Sequence, residues 1–143
     1  MNAPLYNTEI LRLAATIPYQ DRLPDPMGSS EKRSPVCGSR VTVDVNLDAA
    51  DHVSAVGMLV RACALGQASS SLLAADIIGK TPEQLATARD ELTSWLAGKG
   101  PVPGWTGFDL FVPALPHTAR HASIRLAFEA AADAAAQALG AAR

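Results

Sequence analysis

Residues 41–61, VTVDVNLDAADHVSAVGMLVR, decide the fold of this chain. From Val41 to Leu47, an aliphatic residue at every second position alternates with a polar one, the pattern of a β-strand with one buried face. A second apolar run extends from Val53 to Arg61, and Asp48 to His52 supply the turn between the two runs. Because such runs pair when a short turn joins them, an antiparallel hairpin is predicted.

Helices are predicted on both sides of this hairpin. Each has apolar residues at helical spacing, and most have a recognisable cap or stop residue. They run from Thr8 to Ile17 after an Asn7 cap, from Gln67 to Ile78 before Gly79, from the capping box Thr81-Pro82-Glu83-Gln84 onward, and from about Thr118 through an alanine-rich tail. The last of these is expected to be long and closely packed.

Two segments are predicted to be loops. Gln20 to Pro35 is rich in Pro, Ser, Gly and charge, and we expect it to be a loop that ends in a short edge strand. Gly98 to Gly107, GKGPVPGWTG, is either a lid or a simple connection. The serines of ASSSL, from Ala68 to Leu72, lack the flanking glycines of a nucleophile elbow, so they are expected to let a helix pack closely.

Composition narrows the class of protein. The chain has 143 residues, which predicts a single domain over residues 1–143. Its formal net charge is −2, with no long Lys/Arg cluster, so neither nucleic acid nor a membrane surface is an expected partner. The N-terminal residues do not have the order of a secretory signal, and no apolar run reaches the length of a membrane span. A cytoplasmic location is therefore expected.

Three residues are candidates for a metal site. Cys37 precedes the first strand of the hairpin, Cys63 lies between the second strand and a helix, and His121 falls in the first turn of the last helix. The ends of strands and helices converge on one edge of a domain more readily than buried positions inside helices do. The alternatives are that both cysteines are core residues and that His121 is a capping or surface residue. A Cys37–Cys63 disulfide is not expected, because thiols stay reduced in the cytoplasm.

The chemistry of the three side chains fits metal binding. Helix N-termini favour a thiolate and a neutral imidazole, which are the forms that ligate metals. Two thiolates and one imidazole suit zinc, or iron in an iron–sulfur centre, and three protein ligands leave one position for an exchangeable group.

Four segments resemble the iron–sulfur cluster assembly scaffold family, the IscU/SufU/NifU N-terminal-domain proteins. The resemblance spans nearly the whole chain, and the segment with the second cysteine is the most specific. The segments are YNTEIL, PVCGSRVTVDVNL, VRACALGQASSSLLAADIIGKTPEQL and ARHASIRLAFEA. The spacing from Cys63 to His121 is similar to that of the SufU type. The resemblance implies an α+β fold, with a small antiparallel sheet of about three strands, helices packed on it and a long C-terminal helix.

The resemblance also implies roles for single residues. Cys37 and Cys63 match the first two ligand cysteines, and either is then a possible sulfur acceptor. The family's Asp, two positions after the first cysteine, is Ser39 here, and the third cysteine aligns with His121, which cannot carry a persulfide. The candidates that line the remaining position are Ser39, Arg40, His117 and Arg120.

The resemblance implies a scaffold or sulfur-transfer accessory protein and no catalytic residue of its own. The leading hypothesis is a scaffold or carrier that binds an iron–sulfur cluster or Zn²⁺. The alternatives are a SufU-like zinc-dependent sulfur acceptor that stimulates a cysteine desulfurase, and a degenerate, metal-free interaction module. The implied partners are a cysteine desulfurase and apo iron–sulfur acceptor proteins, with the chain itself a monomer or homodimer.

Overall fold

A computed structural model describes residues 5–35 and 38–142 of the chain. Three strands and four α-helices follow one another in it, together with two short 3₁₀ segments. The elements are α1 (Thr8–Ala15), β1 (Gly28–Arg33), β2 (Arg40–Leu47), β3 (Val53–Arg61), α2 (Ala64–Asp76), α3 (Pro82–Leu96), 3₁₀ segments at Phe108–Ala114 and Thr118–Arg120, and α4 (His121–Ala141). No helix in the described part of the chain is both long and apolar enough to span a membrane.

The strands form one antiparallel sheet in the order β1-β2-β3. The predicted hairpin of β2 and β3 is confirmed. The predicted loop from Gln20 to Pro35 that ends in a short edge strand is also confirmed: Gly28–Arg33 form β1, which pairs with β2 from Gly28 opposite Val45 to Arg33 opposite Arg40. The polar sequence of β1, GSSEKR, does not show where the strand begins and ends, because an edge strand gains its stability from backbone pairing with its neighbour.

One face of the sheet packs on the helices. Val41, Val43 and Val45 are fully buried there. On β1, Gly28 lies so close to α4 that a Cβ atom would collide with the carbonyl oxygen of Ala134 and lie 2.8 Å from the nitrogen of Ala138. Small residues on both elements therefore allow the long helix to lie directly against the sheet, and the predicted close packing of this helix is confirmed.

The opposite face of the sheet is polar and is partly covered by the loop between α1 and β1. Asp44 of β2 is completely buried under this loop. Its carboxylate accepts hydrogen bonds from Arg22 Nε (2.6 Å), the Leu23 backbone N–H (3.0 Å) and Ser29 Oγ (2.6 Å). Burial opposes ionisation of Asp44, but these hydrogen bonds outweigh it and hold the pKa below its usual value. Asp44 therefore ties the loop to the sheet.

Local sequence signals explain the helix ends. Asn7 Oδ1 accepts a hydrogen bond from the Ile10 N–H at 2.9 Å, which caps α1. Thr81 and Gln84 form the predicted capping box of α3. Helix α2 begins at Ala64, three residues before the predicted start, because Cys63 already occupies the N-cap position.

The connection after α3 is packed into the domain. Its Trp105 Nε1 donates a hydrogen bond to the backbone oxygen of Leu72 in α2, at 2.8 Å. Phe108 and Phe111 in the following 3₁₀ segment are fully buried, and the Phe108 ring lies 5.2 Å from that of Phe128 in α4. Sequence periodicity does not reveal this segment, because a short 3₁₀ turn has too few residues to show a repeat.

Candidate functional site

The first candidate ligand lies in the turn between β1 and β2. Cys37 itself falls outside the described residues, but both sides of the turn are described. The Ser34 N–H donates to the carbonyl oxygen of Ser39 at 2.8 Å, which closes the turn. Gly38 has a φ of 73°, a left-handed conformation that favours glycine. The glycine at position 38 therefore follows from the geometry needed to return the chain into β2.

The second candidate, Cys63, is the N-cap residue of α2. Its backbone is extended (φ −66°, ψ 171°), and its side chain makes no capping hydrogen bond. The thiol is free and half-buried, and it packs partly against the core. Because its carbonyl oxygen accepts the Gln67 N–H at 2.9 Å, the residue is held at the first turn of the helix. The structure thus leaves this half-buried cysteine at the N-terminus of α2.

The third candidate, His121, is the first residue of α4 and is only 6% exposed. Its Nε2 lies 3.0 Å from the carbonyl oxygen of Ala114 and 3.0 Å from that of Leu115. Carbonyl oxygens only accept hydrogen bonds, so Nε2 carries a proton. In the neutral ring, Nδ1 then holds the lone pair and is the nitrogen that is able to ligate a metal.

The segments that bear the three candidates meet through their neighbours. Ser123 Oγ, two residues after His121, donates to Ser39 Oγ at 3.3 Å, two residues after Cys37. A Cβ atom on Gly66, three residues after Cys63, would lie 3.1 Å from the Ser123 carbonyl oxygen. The N-terminal ends of α2 and α4 therefore pack against each other, with the end of the β1–β2 turn beside them.

A buried serine extends this contact between the two helices. Ser69 Oγ of α2 donates to the carbonyl oxygen of Ile124 in α4 at 2.7 Å, and Ser70 Oγ bonds to the Gly66 oxygen of its own helix at 2.8 Å. The expectation that these serines allow close packing is confirmed.

Sequence reasoning missed Gly66 and Ser123 as residues that bring the candidate segments together. Their only signal in the sequence was their position two or three residues after a candidate ligand.

The residues predicted to line the site lie in different surroundings. Ser39 is buried, and Arg40 is half-buried at the start of β2. Arg120 is exposed, and its Nη1 donates to the Tyr6 hydroxyl at 2.8 Å. His117 is exposed before the short 3₁₀ segment that leads into α4. Their participation in a site stays a prediction.

No group of three His, Cys, Asp or Glu side chains able to hold a metal ion occurs within residues 5–35 and 38–142. Because Cys37 lies outside those residues, only two of the three predicted ligands fall among them. The triad of Cys37, Cys63 and His121 therefore stays a prediction.

These features define a class of domain. It is an α+β protein in which a three-stranded antiparallel sheet carries a long C-terminal helix, and in which a cysteine-bearing turn and two helix N-termini converge at one end. The NifU-like N-terminal domain model matches residues 14–139. The chain therefore belongs to this family of iron–sulfur cluster assembly scaffold domains, as its sequence motifs predict.

Solved structures agree with this assignment. The N-terminal part of a nitrogen-fixing NifU-like protein from Brucella abortus is 37% identical over 95% of both chains, with a TM-score of 0.89. A protein from Fervidobacterium islandicum AW-1, assigned as the iron–sulfur cluster assembly scaffold for the SUF system, shares the fold with a TM-score of 0.82. It is 20% identical over 92% of this chain and 96% of its own. A search of curated protein sequences finds no match.

Proposed function

We propose that this chain is a scaffold or carrier for iron–sulfur cluster assembly, in which Cys37, Cys63 and His121 bind the nascent cluster or Zn²⁺. The observation that carries the proposal is the contact of Ser123 with both Ser39 and Gly66. This contact joins the three chain segments that bear these ligands. Each contacting residue lies two or three positions from one of the ligands. Chain segments far apart in sequence are thus held together at the end of the domain where the candidates lie.

The environment of His121 supports its role as a ligand. A histidine that ligates a metal through one nitrogen usually donates the N–H of the other to a carboxylate or a backbone carbonyl. Here Nε2 is held by two backbone carbonyls, which orients the ring and leaves Nδ1 for the metal. The donor set of two thiolates and one imidazole fits zinc or an iron–sulfur centre. When bound, a zinc ion acts as a Lewis acid toward its exchangeable ligand.

Ser39 supports a site with altered chemistry. Its buried hydroxyl stands where the resemblance implies a carboxylate, so the protein supplies one negative charge less to a bound cation. An exchangeable group or a thiolate from a partner would complete the coordination. Mixed Cys/His ligation also raises the reduction potential of iron–sulfur centres relative to all-Cys ligation.

The alternative function is acceptance of sulfur from a cysteine desulfurase, and the accessible thiol of Cys63 favours it. In this reaction, the Cys63 thiolate attacks the terminal sulfur of the desulfurase persulfide. The sulfur–sulfur bond breaks, and the desulfurase cysteine leaves as a thiolate with the electron pair of that bond. The product is a persulfide on Cys63, and neither oxidant nor reductant is consumed. Cys37 is the second candidate acceptor.

The test is metal and sulfide analysis with absorption spectra after anaerobic reconstitution with zinc, or with iron and sulfide. The wild type is expected to retain about one metal site per chain or per pair of chains. Cys63→Ser should lose it. His121→Gln is designed to keep an N–H near the carbonyls of Ala114 and Leu115 while removing Nδ1, so it should remain folded and bind weakly.

The matched control is His52→Gln, because His52 lies at the β2–β3 turn, at the opposite end of the sheet from the turn with Cys37. It should bind metal like the wild type. If the wild type retains neither metal, the scaffold proposal is wrong. Desulfurase turnover with and without the protein, with mass spectrometry of Cys37 and Cys63, tests the alternative, and unchanged turnover without a persulfide would exclude it.

Partners and assembly follow from the same proposal. A cysteine desulfurase supplies sulfur, and apo iron–sulfur proteins receive the cluster. If neither metal nor persulfide is found but Cys37→Ala still binds these partners, the chain is a metal-free interaction module. Light scattering of the reconstituted protein tells whether one chain or a homodimer holds the site.

A further inference from the structure

Three arginines stand side by side at one end of the sheet. Arg33 of β1 pairs directly with Arg40 of β2, and Arg40 pairs directly with Arg61 of β3. Residues directly opposite each other in a sheet project from the same face. We call Arg33, Arg40 and Arg61 the arginine row. Like charges in directly opposed positions destabilise a sheet. The arginine row therefore lowers the stability of the fold, so a structural role does not account for it.

The arginine row borders the candidate site. The turn that contains Cys37 begins directly after Arg33 and ends directly before Arg40, and Cys63 follows Arg61 by two residues. Every second residue of a strand lies on the same face, so Arg40 and Asp44 of β2 share a face. The row therefore lies on the polar face of the sheet. Asp44 and its loop cover the other end of this face, while Arg33 and Arg61 are exposed.

The charge of the row is incompletely balanced. Glu31 accepts a hydrogen bond from Arg33 Nε at 2.9 Å, and this bond, with the charges of Arg33 and Arg40, lowers the pKa of Glu31 despite an opposing desolvation effect. Among the described residues, neither Arg40 nor Arg61 forms an ion pair. By contrast, Arg22 on the same face pairs with Asp44. Within the described residues, Glu31 thus interacts with two of the three guanidinium groups, those of Arg33 and Arg40, in a protein whose overall charge is −2.

We propose that the arginine row is a docking surface for an acidic segment of a protein partner. Adjacent strands lie about 4.8 Å apart, so the row spans roughly 10 Å. This length suits several carboxylates of a peptide segment better than one small anion. Guanidinium groups bind carboxylates in bidentate geometry. A negative overall charge opposes binding of a long polyanion such as nucleic acid, whereas a local row suits a protein surface.

The identity of the partner rests on the proposed function. A partner that docks here lies beside both cysteine-bearing segments, which fits the cysteine desulfurase that delivers sulfur to Cys63. Because electrostatic attraction between exposed groups is screened by salt, binding through the row should weaken as ionic strength rises.

The experiment compares Arg33→Glu/Arg61→Glu with the control Arg12→Glu/Lys99→Glu. Both variants change the net charge equally at exposed positions, and the control residues lie on α1 and after α3. Circular dichroism first establishes that both fold. Binding of an oligoglutamate peptide, of inorganic phosphate and of the desulfurase from the source organism is then measured at low and moderate ionic strength.

The proposal predicts that the wild type and the control bind the peptide alike, and that the row variant binds about tenfold more weakly. The row variant should lose desulfurase binding in parallel. The proposal is overturned if the wild type does not bind the peptide, if the row variant binds it as tightly, or if phosphate alone displaces it at comparable concentration. If the proposed function is wrong instead, the wild type retains no metal and does not stimulate the desulfurase, while its binding of the peptide persists.

Discussion

Ser123 Oγ donates a hydrogen bond to Ser39 Oγ across 3.3 Å, although the two residues are 84 positions apart. Both residues are buried, with Ser123 1% and Ser39 4% exposed. The bond links the start of the last helix to the turn that contains Cys37. By the resemblance to the family, a carboxylate is expected at the position of Ser39.

Ser39→Asp should destabilise the metal-free protein and strengthen metal binding. Burial of a carboxylate costs several kcal/mol, and a bound cation offsets that cost. Chemical unfolding with and without zinc, together with zinc titration, measures both effects. Ser39→Asn is the neutral control and should not gain affinity. An equal loss of stability with and without metal would contradict a cation site beside Ser39.

Gly66→Ala should weaken the candidate site. The added Cβ would lie 2.8 Å from Ala62 Cβ and 3.1 Å from the Ser123 carbonyl oxygen, so Ala62 must shift and the start of α4 must move by a few tenths of an ångström. We expect a loss of about 1–3 kcal/mol in unfolding free energy, as for other overpacked positions, and a clear loss of zinc affinity. Unchanged zinc affinity in a folded variant would show that this contact does not support the site.

Gly28→Ala should destabilise the fold without affecting metal binding. Its Cβ would collide with the Ala134 carbonyl oxygen in the backbone of α4, and neither element can shift without losing sheet–helix packing. We expect a loss of about 1–3 kcal/mol or more by thermal or chemical unfolding. Gly140→Ala is the control, because its Cβ meets no atom within 4 Å, and Ala is favoured over Gly in a helix by about 0.5–1 kcal/mol. Equal stability of both variants would refute the close approach.

The ionisation of Asp44 should make the unfolding free energy depend on pH in the acid range. Its pKa in the folded protein is lowered from 3.8, so its contribution is fully present above that value and is lost as pH falls through the lower, folded-state pKa. Near neutral pH, Asp44→Asn should lose about 1.5–3 kcal/mol, as expected for hydrogen bonds to a charged group. Unfolding of both proteins across acid pH measures the difference. It should shrink as pH falls below 3.8, and a constant difference would contradict this role.

Several elements were predictable because their signals are local. The alternation from Val41 to Leu47 depends only on the two-residue period of a strand. The caps of α1 and α3 depend on side chains within three residues of the backbone groups they bond. The short edge strand expected at the end of the loop from Gln20 is present as β1, but its bounds could not be predicted, since its polar residues become a strand only through pairing with β2.

The sequence by itself determined the helix and strand types, the family, and the identities of the candidate ligands, because these follow from short periods, caps and motifs. Only the tertiary structure decided that Ser39, Gly66 and Ser123 meet, that the Nε2 of His121 is occupied by two carbonyls, and that three arginines share one row. The physical reason is that strand register and helix packing bring together residues far apart in the chain. No local preference specifies those contacts.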